Sequence, residues 1–254
     1  MFTTTCCRAK LALSLKESER LDDLQFEGLK IVQDRNLYSF TSDSVVLANF
    51  LKIKRGEKAV EIGSGSGVIS ILATKKTNVS HITAFELQQP LYEMSLKSLQ
   101  LNGIKNVDVI NDDVCNFKKY LSVGSIDVVF SNPPYKKEGA AAKNENESKA
   151  IARHEKSLPI EKLVKCASDM LKFGGRAYFV YDADRSAEMI YHLICNNLQP
   201  KRMFFTENGR KKPILFVVEA VKGGKSGVKV LPNLVTNDSD GNYIQEIKDG
   251  IWSK

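Results

Sequence analysis

From Glu57 to Val221 short apolar runs alternate with stretches of helical periodicity, and this alternation leaves few folds open to the chain. Ala59–Ile62, Ile82–Phe85, Val107–Ile110 and Ile126–Phe130 are short and mostly apolar. Runs of that kind form strands buried on both faces. Val68, Ile71 and Leu72 share one side of a helix over Val68–Lys76. Pro90 stands where a first helical turn tolerates proline, and Asn102-Gly103 ends the helix that continues through Leu91–Leu101. Further on, helices are expected over Ser157–Leu171, stopped by Gly174-Gly175, and over Ala183–Leu198. The last strands are expected at Ala177–Tyr181, Arg202–Phe205 and Ile214–Val221. The pattern predicts an α/β fold, a mostly parallel seven-stranded sheet with helices on both faces.

The 254 residues lie near the upper end for a single hydrophobic core, roughly 250 to 300 residues. Residues 1–55 are expected to form an N-terminal extension whose first helices pack on the core, 56–222 the core, and 223–254 a C-terminal extension rich in Gly, Pro, Asn and Asp. Gly139–Lys149 is polar and breaks the rhythm as a long loop. With 43% hydrophobic and 26% charged residues, a disordered chain is excluded. No run approaches the roughly 18 apolar residues of a membrane span. The apolar residues between Lys10 and Lys16 are too few for a signal peptide, so a cytoplasmic protein without membrane contact is expected. Cys6, Cys7, Cys115, Cys166 and Cys195 form no C-x-x-C pair, and the chain has three histidines. Free thiols and no metal are expected. The formal charge of +7 hints at an anionic partner.

The first core strand runs into Glu61-Ile62-Gly63-Ser64-Gly65-Ser66-Gly67. Alternate glycines let the backbone turn tightly and approach a ligand, and the helix that follows points its N–H groups at the bound group. Glu86 lies 23 residues beyond Gly63, after the next strand, where a carboxylate accepts hydrogen bonds from ribose hydroxyls. The spacing G-x-G-x-G differs from the dinucleotide fingerprint G-x-G-x-x-G. With the acidic Glu61 before it, the loop resembles the first motif of class I adenosylmethionine-dependent methyltransferases, whose fold is Rossmann-like. That resemblance implies S-adenosyl-L-methionine as cofactor. It also implies a role for the turn Asp112-Asp113-Val114, with Asp113 the first choice for the adenine amino group and Asp112 adjacent. A helix N-cap is the plainer role for an aspartate there, and both can hold at once.

The fourth core strand ends in Asn132-Pro133-Pro134-Tyr135, at the sheet edge where open α/β folds bind ligands. Asn-Pro-Pro-Tyr in this place resembles the signature of amino-group methyltransferases acting on adenine N6, guanine N2 or glutamine N5. An exocyclic amino group is a poor nucleophile because its lone pair is delocalised into the ring. The Asn132 side-chain oxygen and the Pro133 carbonyl offer two acceptors that favour a localised lone pair and stabilise the positive charge developing on nitrogen. Pro133 and Pro134 restrict the backbone that presents them, and Tyr135 offers a face for a base to stack on. Asn132 also counts among the cofactor's neighbours.

Outside these motifs, Asp22–Gln33, Phe40–Ala48, Ala152-Arg153-His154-Glu155, Glu219–Lys225, Val230-Leu231-Pro232 and Asp240-Gly241-Asn242-Tyr243 resemble the bacterial methyltransferases of adenine N6 at position 37 of valine tRNA. The resemblance runs from about Leu21 to Trp252. It implies N6 methylation of adenine in tRNA, with Asp43 near the cofactor's methionine end. An N-cap is the plainer role for Asp43. It places Arg153 and His154 at the active-site mouth. Lys136, Lys137, Arg210, Lys211 and Lys212 are the remaining candidates for contact with the RNA. A monomer is expected. Glutamine-N5 protein methylation, guanine-N2 RNA methylation, and a catalytically silent RNA adaptor are the alternatives.

Overall fold

The computed structural model describes residues 14–37, 40, 42–133, 158–207 and 212–236. Strands β1 (Glu19–Asp23) and β2 (Lys30–Asp34) pair as an antiparallel hairpin, and helix α1 (Ser42–Phe50) follows. The alternating core then runs β3 (Lys58–Ile62), α2 (Val68–Lys76), β4 (His81–Phe85), α3 (Gln89–Leu101) and β5 (Val107–Ile110). A short 3-10 helix, Val114–Lys119, leads to β6 (Ile126–Ser131). Then come α4 (Ile160–Met170), β7 (Leu171–Asp182), α5 (Ser186–Cys195), β8 (Leu198–Glu207) and β9 (Pro213–Lys222). Two two-residue strands close the described chain, β10 (Lys229–Val230) and β11 (Leu234–Val235).

The main sheet has the order β10-β8-β9-β7-β6-β3-β4-β5, with β11 also on β8. Seven longer strands therefore stand where seven were expected, and two short ones make nine. Strands β5, β4, β3, β6 and β7 are parallel, and β9 is antiparallel to both β7 and β8. The chain steps outward from β3 through β4 to β5, then returns to β6 and steps the other way to β7. With right-handed crossovers, that reversal puts α2 and α3 on one face and α4 on the other. Accordingly α1 packs with α2, and α4 with α5. Val128, Val129, Phe130, Phe179, Val180 and Val217 are fully buried between the layers.

Three local expectations are corrected. The hairpin β1–β2 replaces the first of the expected N-terminal helices. Its outer pattern is inverted: Leu21 is exposed, while Glu19 is buried in an ion pair with Lys97 of α3 at 2.7 Å. Second, Gly174-Gly175 does not stop a helix. Helix α4 already ends at Met170, and β7 runs through both glycines where the β6–β7 register shifts. A Cβ on Gly175 would lie 2.9 Å from the Lys172 carbonyl oxygen, so the irregularity requires glycine there. Third, residues 183–198 divide into a 3-10 turn at Ala183–Arg185, helix α5, and the start of β8, which crosses Pro200 at a register shift. The shift spares the ladder the N–H that proline lacks.

The exposed side of β2 is closed by α3. The Val32 N–H donates to Ser98 Oγ (3.0 Å), the Lys30 N–H to Asn102 Oδ1 (3.0 Å), and Asn102 Nδ2 donates back to the Lys30 carbonyl (2.7 Å). These side chains take the hydrogen bonds a further strand would have made.

Candidate active site

The parallel strands all end at one edge, and a cleft opens there. Its lining comes from four successive strand ends: Ile62 and Gly63 after β3, Phe85, Glu86 and Leu87 after β4, Asp112, Asp113 and Val114 after β5, and Ser131 and Pro133 at β6. Leu158, ahead of α4, closes one side. A crevice at the carboxyl ends, beside the point where strand order reverses, is where open α/β sheets bind ligands.

The β3–α2 turn needs its glycines. Gly63, Gly65 and Gly67 have φ of 72°, 56° and 91°, a region that disfavours side chains. A Cβ on Gly63 or Gly65 would meet no protein atom within 4 Å, so the space above the loop is open. A Cβ on Gly67 would come 3.1 Å from Ser95 Oγ of α3, so this glycine also lets α3 approach. The loop is tied to β4 by the Gly63 and Ser64 N–H groups, both donating to the Phe85 carbonyl (2.9 and 3.1 Å).

Glu86 is buried, and both carboxylate oxygens are held. The Gly65 N–H donates to Oε2 (2.9 Å) and the Gln88 N–H to Oε1 (2.8 Å). Burial raises its pKa, and the backbone hydrogen bonds pull it back. With about four lone-pair sites, the carboxylate keeps acceptor capacity for a ligand hydroxyl. Glu61 is also buried, but beneath the loop: its carboxylate accepts the N–H of Ser70 (3.1 Å) and the Ser70 hydroxyl, in the first turn of α2. Burial pushes the Glu61 carboxyl up to about 8.

Beyond β5, the two aspartates divide their tasks. Asp113 caps the 3-10 helix, accepting the Cys115 N–H at 2.8 Å. Asp112 accepts from Asn116 Nδ2 (2.7 Å), Tyr120 OH (2.9 Å) and Lys119 Nζ (3.2 Å). Hydrogen bonds from Asn116 first, then Tyr120, hold its carboxyl well below the usual carboxylate range. The Tyr120 ring stands edge-on to Phe85 at 5.9 Å.

At the end of β6, the Ser131 hydroxyl donates to the Ile62 carbonyl (2.7 Å) and ties β6 to β3. The next side chain is Asn132. Its Nδ2 donates to Ser44 Oγ of α1 at 3.1 Å, while its Oδ1 is buried and has no hydrogen-bond partner among the described residues. A buried acceptor left unsatisfied costs about 1 to 3 kcal/mol, so it stands out in a native fold.

Of the expected residues, the cleft brings together Gly63, Glu86, Asp112, Asp113, Val114 and Pro133. Glu61, Gly65, Gly67 and Asn132 surround it without lining it. Asp43 sits inside the first turn of α1, one residue before Ser44. Lys212 is exposed just ahead of β9. Because β9 is antiparallel, its start lies on the same sheet edge as the cleft. Pro134, Tyr135, Lys136, Lys137, Arg153, His154, Arg210 and Lys211 lie outside the described residues.

Two residues of the site went unread in the sequence. Gln33, at the end of β2, is fully buried. Its Nε2 donates to Ser66 Oγ of the glycine loop (2.7 Å), and its Oε1 accepts the Phe40 N–H (3.0 Å). Ser44 is the second. A buried polar residue in a short β-branched run, such as Ile31-Val32-Gln33, is the signal that points to Gln33. Among the described residues no group of three His, Cys, Asp or Glu side chains could hold a metal, and Cys115 and Cys166 are free thiols 3.8 Å apart.

Comparison with known proteins bears on this edge of the sheet. The sequence profile of the methyltransferase small domain matches residues 29–200, more than half of the chain. The chain belongs to this family. A tRNA1(Val) (adenine(37)-N6)-methyltransferase of Aliivibrio salmonicida is 30% identical over 55% of this chain, a match spanning 58% of that protein's length. One of the same name from Bacteroides thetaiotaomicron is 27% identical over 72% of this chain and 81% of its own. Among solved structures, a predicted O-methyltransferase of Agrobacterium tumefaciens aligns with a TM-score of 0.65, covering 82% of this chain and 96% of that one at 16% identity. At that identity the likeness shows the fold. No helix among the described residues is long and apolar enough to cross a membrane.

Proposed function

We propose that this methyltransferase moves a methyl group from S-adenosyl-L-methionine to the exocyclic N6 of adenine in tRNA, and that the target is adenine 37 of valine tRNA. The family membership and the names of the relatives support the class of reaction. The observation that carries the reading is Asn132: its amide nitrogen is held by Ser44, and its buried oxygen has no partner among the described residues at the end of β6.

The cofactor's fit rests on the residues around the cleft. Glu86 keeps acceptor capacity for the ribose hydroxyls, and Gly63 and Gly65 leave the space above the loop open. Asp112, fixed as an anion by its neighbours, and Asp113 present acceptors at the far end for an adenine amino group. When bound, S-adenosyl-L-methionine supplies an activated methyl on sulfonium, so the chain need supply no covalent nucleophile.

The chain's own part is positioning. Asn132 Oδ1 accepts one N–H of the substrate amino group and the Pro133 carbonyl accepts the other. Two fixed acceptors favour the localised lone pair and stabilise the positive charge that develops on nitrogen. Tyr135 stacks on the base, which must leave any helical stack to reach the site. Lys136, Lys137, Arg153, His154, Arg210, Lys211 and Lys212 supply phosphate contacts, which give affinity without reading sequence. Cytoplasmic placement and a single-chain enzyme complete the proposal.

The test is nucleoside mass spectrometry after incubating the protein with S-adenosylmethionine and unmodified tRNA, beside rRNA and a release factor. N6-methyladenosine confined to tRNA is the expected product. Methylglutamine or methylguanosine would replace the substrate while keeping the fold, and no transfer to any acceptor would leave the RNA adaptor.

A further inference from the structure

We propose that Cys115 and Cys166 are an oxidation site: a hydroperoxide converts the pair to a disulfide, which shifts the Asp113 end of the 3-10 helix and weakens binding of the cofactor. The effect on the cofactor rests on the S-adenosyl-L-methionine reading above; the disulfide itself does not.

The two thiols are 51 residues apart in sequence, and their sulfur atoms are 3.8 Å apart. Cys115 is the second residue of the 3-10 helix Val114–Lys119, and Cys166 lies on α4, which packs against that helix. Cys115 is exposed and Cys166 is buried. An oxidant therefore reaches the first thiol, and the second is placed to resolve the product, the pairing that makes a thiol a reversible sensor. The positioning mechanism above uses neither of them. The thiolate is the form that reacts. Burial raises the Cys115 thiol, and Asp113 raises it further, so the first step is slow at neutral pH and the pair answers to sustained oxidant.

The steps balance with hydrogen peroxide as the oxidant. The Cys115 thiolate attacks one peroxide oxygen: an S–O bond forms, the O–O bond breaks, and the hydroxide that leaves takes up the proton the thiol gave off. Cys166 then attacks the sulfur of the resulting sulfenic acid. An S–S bond forms, the S–O bond breaks, and hydroxide leaves as water with the Cys166 proton. Burial pushes the Cys166 thiol up to about 12, so it keeps that proton until the sulfenic acid stands beside it. The two thiols give up two electrons, and the peroxide takes both.

Bond formation brings the sulfurs from 3.8 Å to about 2.05 Å. The two elements share that closure unequally. Helix α4 is anchored along its length by the buried Leu163, Val164, Ala167 and Met170, whereas the 3-10 helix has six residues. Its cap is Asp113, whose carboxylate accepts the Cys115 N–H at 2.8 Å, and Asp113 and Val114 line the cleft. A displaced Cys115 therefore displaces the acceptor assigned to the adenine amino group.

The test compares the reduced full chain with the same chain treated with hydrogen peroxide. Peptide mass spectrometry after alkylation reads the linkage, and calorimetry reads S-adenosyl-L-methionine affinity. The expected product is a Cys115–Cys166 peptide pair lighter by two hydrogens. Affinity is expected to fall by about tenfold, as when one hydrogen bond to a charged group is given up, and dithiothreitol should restore it. Cys115→Ser should bind like the reduced wild type before and after peroxide. Recovery of both cysteines as free thiols, or of Cys115 as an unlinked sulfinic acid, would overturn the oxidation site. A disulfide with unchanged affinity would overturn its link to the cofactor. So would an equal loss in Cys115→Ser, which would trace the effect to Cys6, Cys7 or Cys195. A reduced wild-type chain that binds no S-adenosyl-L-methionine would remove the cofactor reading and the control of binding with it, and the mapped linkage would tell that failure apart from failure of the oxidation site.

Discussion

In the parallel half of the sheet, strands β3 to β6 end in turns that hold polar atoms for something outside the fold. In the antiparallel half, β7, β9 and β8 turn nearly all their groups toward one another. Among the described residues, the first half has left-handed glycines at Gly63, Gly65 and Gly67, a buried Glu86 held by backbone N–H groups, and an Asn132 Oδ1 without a partner. The second has an unbroken ladder from Arg176–Val221 to Asp182–Leu215, with Tyr178, Phe179, Phe216 and Val217 fully buried along it. Its polar exception is Arg202, whose Nη2 lacks a partner among the described residues while its Nε binds Glu219 and its guanidinium lies over Phe50 at 4.5 Å. The contrast teaches where spare polar capacity resides. Apolar burial secures both halves, with Val60, Val129 and Phe130 as deeply buried as Phe179 and Val217, and the parallel half in addition keeps hydrogen-bonding groups unspent at its strand ends.

The largest effect that would sharpen this contrast is on stability. Phe216→Ala empties a fully buried ring that packs on Phe205 at 5.3 Å, and is expected to cost about 3 to 5 kcal/mol. Urea unfolding measures that loss. Transfer rate per folded molecule should stay close to wild type, and a rate that falls with stability would break the division between the halves.

A smaller effect is expected at Gln33, which reaches from the hairpin into the parallel half. Gln33→Ala leaves Ser66 Oγ and the Phe40 N–H without the partner they have now, at a cost of about 1 to 3 kcal/mol. Because Ser66 belongs to the glycine loop, calorimetry should also show weaker binding of S-adenosylmethionine. Lost stability with unchanged cofactor affinity would make Gln33 a packing residue only.

Glu61 gives an effect that depends on pH. Its folded pKa, about 8, lies above the ordinary 4.5. The neutral carboxyl's contribution to stability is therefore complete at low pH and is lost as pH rises from about 4.5 toward about 8. Glu61→Gln removes that titration. Melting curves should show the wild type losing ground to the variant across this window, with the widest gap at its alkaline end. Parallel curves would mean that Glu61 is charged in the folded state throughout.

The parallel half was largely legible in the sequence because buried strands between helices leave continuous apolar runs. Helix α2 occupies Val68–Lys76 as its periodicity requires, and the turns carrying Gly63, Glu86, Asp113 and Asn132 fall at the cleft edge where the order of elements puts them. The hairpin was not legible. Strand β1 reads Glu-Arg-Leu-Asp-Asp, and burial reverses the hydrophobic rule by hiding Glu19 against Lys97 while exposing Leu21. Polar docking of this kind leaves no periodic trace. Ser44 and Gln33 were hidden for the same reason: each acts through one hydrogen bond to a distant segment, a contact that only the fold creates.

The most direct measurement of the central claim is single-turnover methyl transfer by Asn132→Ala, set beside its affinity for S-adenosylmethionine. If Asn132 Oδ1 receives the substrate amino group, the rate falls by about 100- to 1,000-fold, as when one preorganised group is removed from a charge-stabilising site, while cofactor affinity stays close to wild type. An unchanged rate, or a loss explained entirely by weaker cofactor binding, would contradict it.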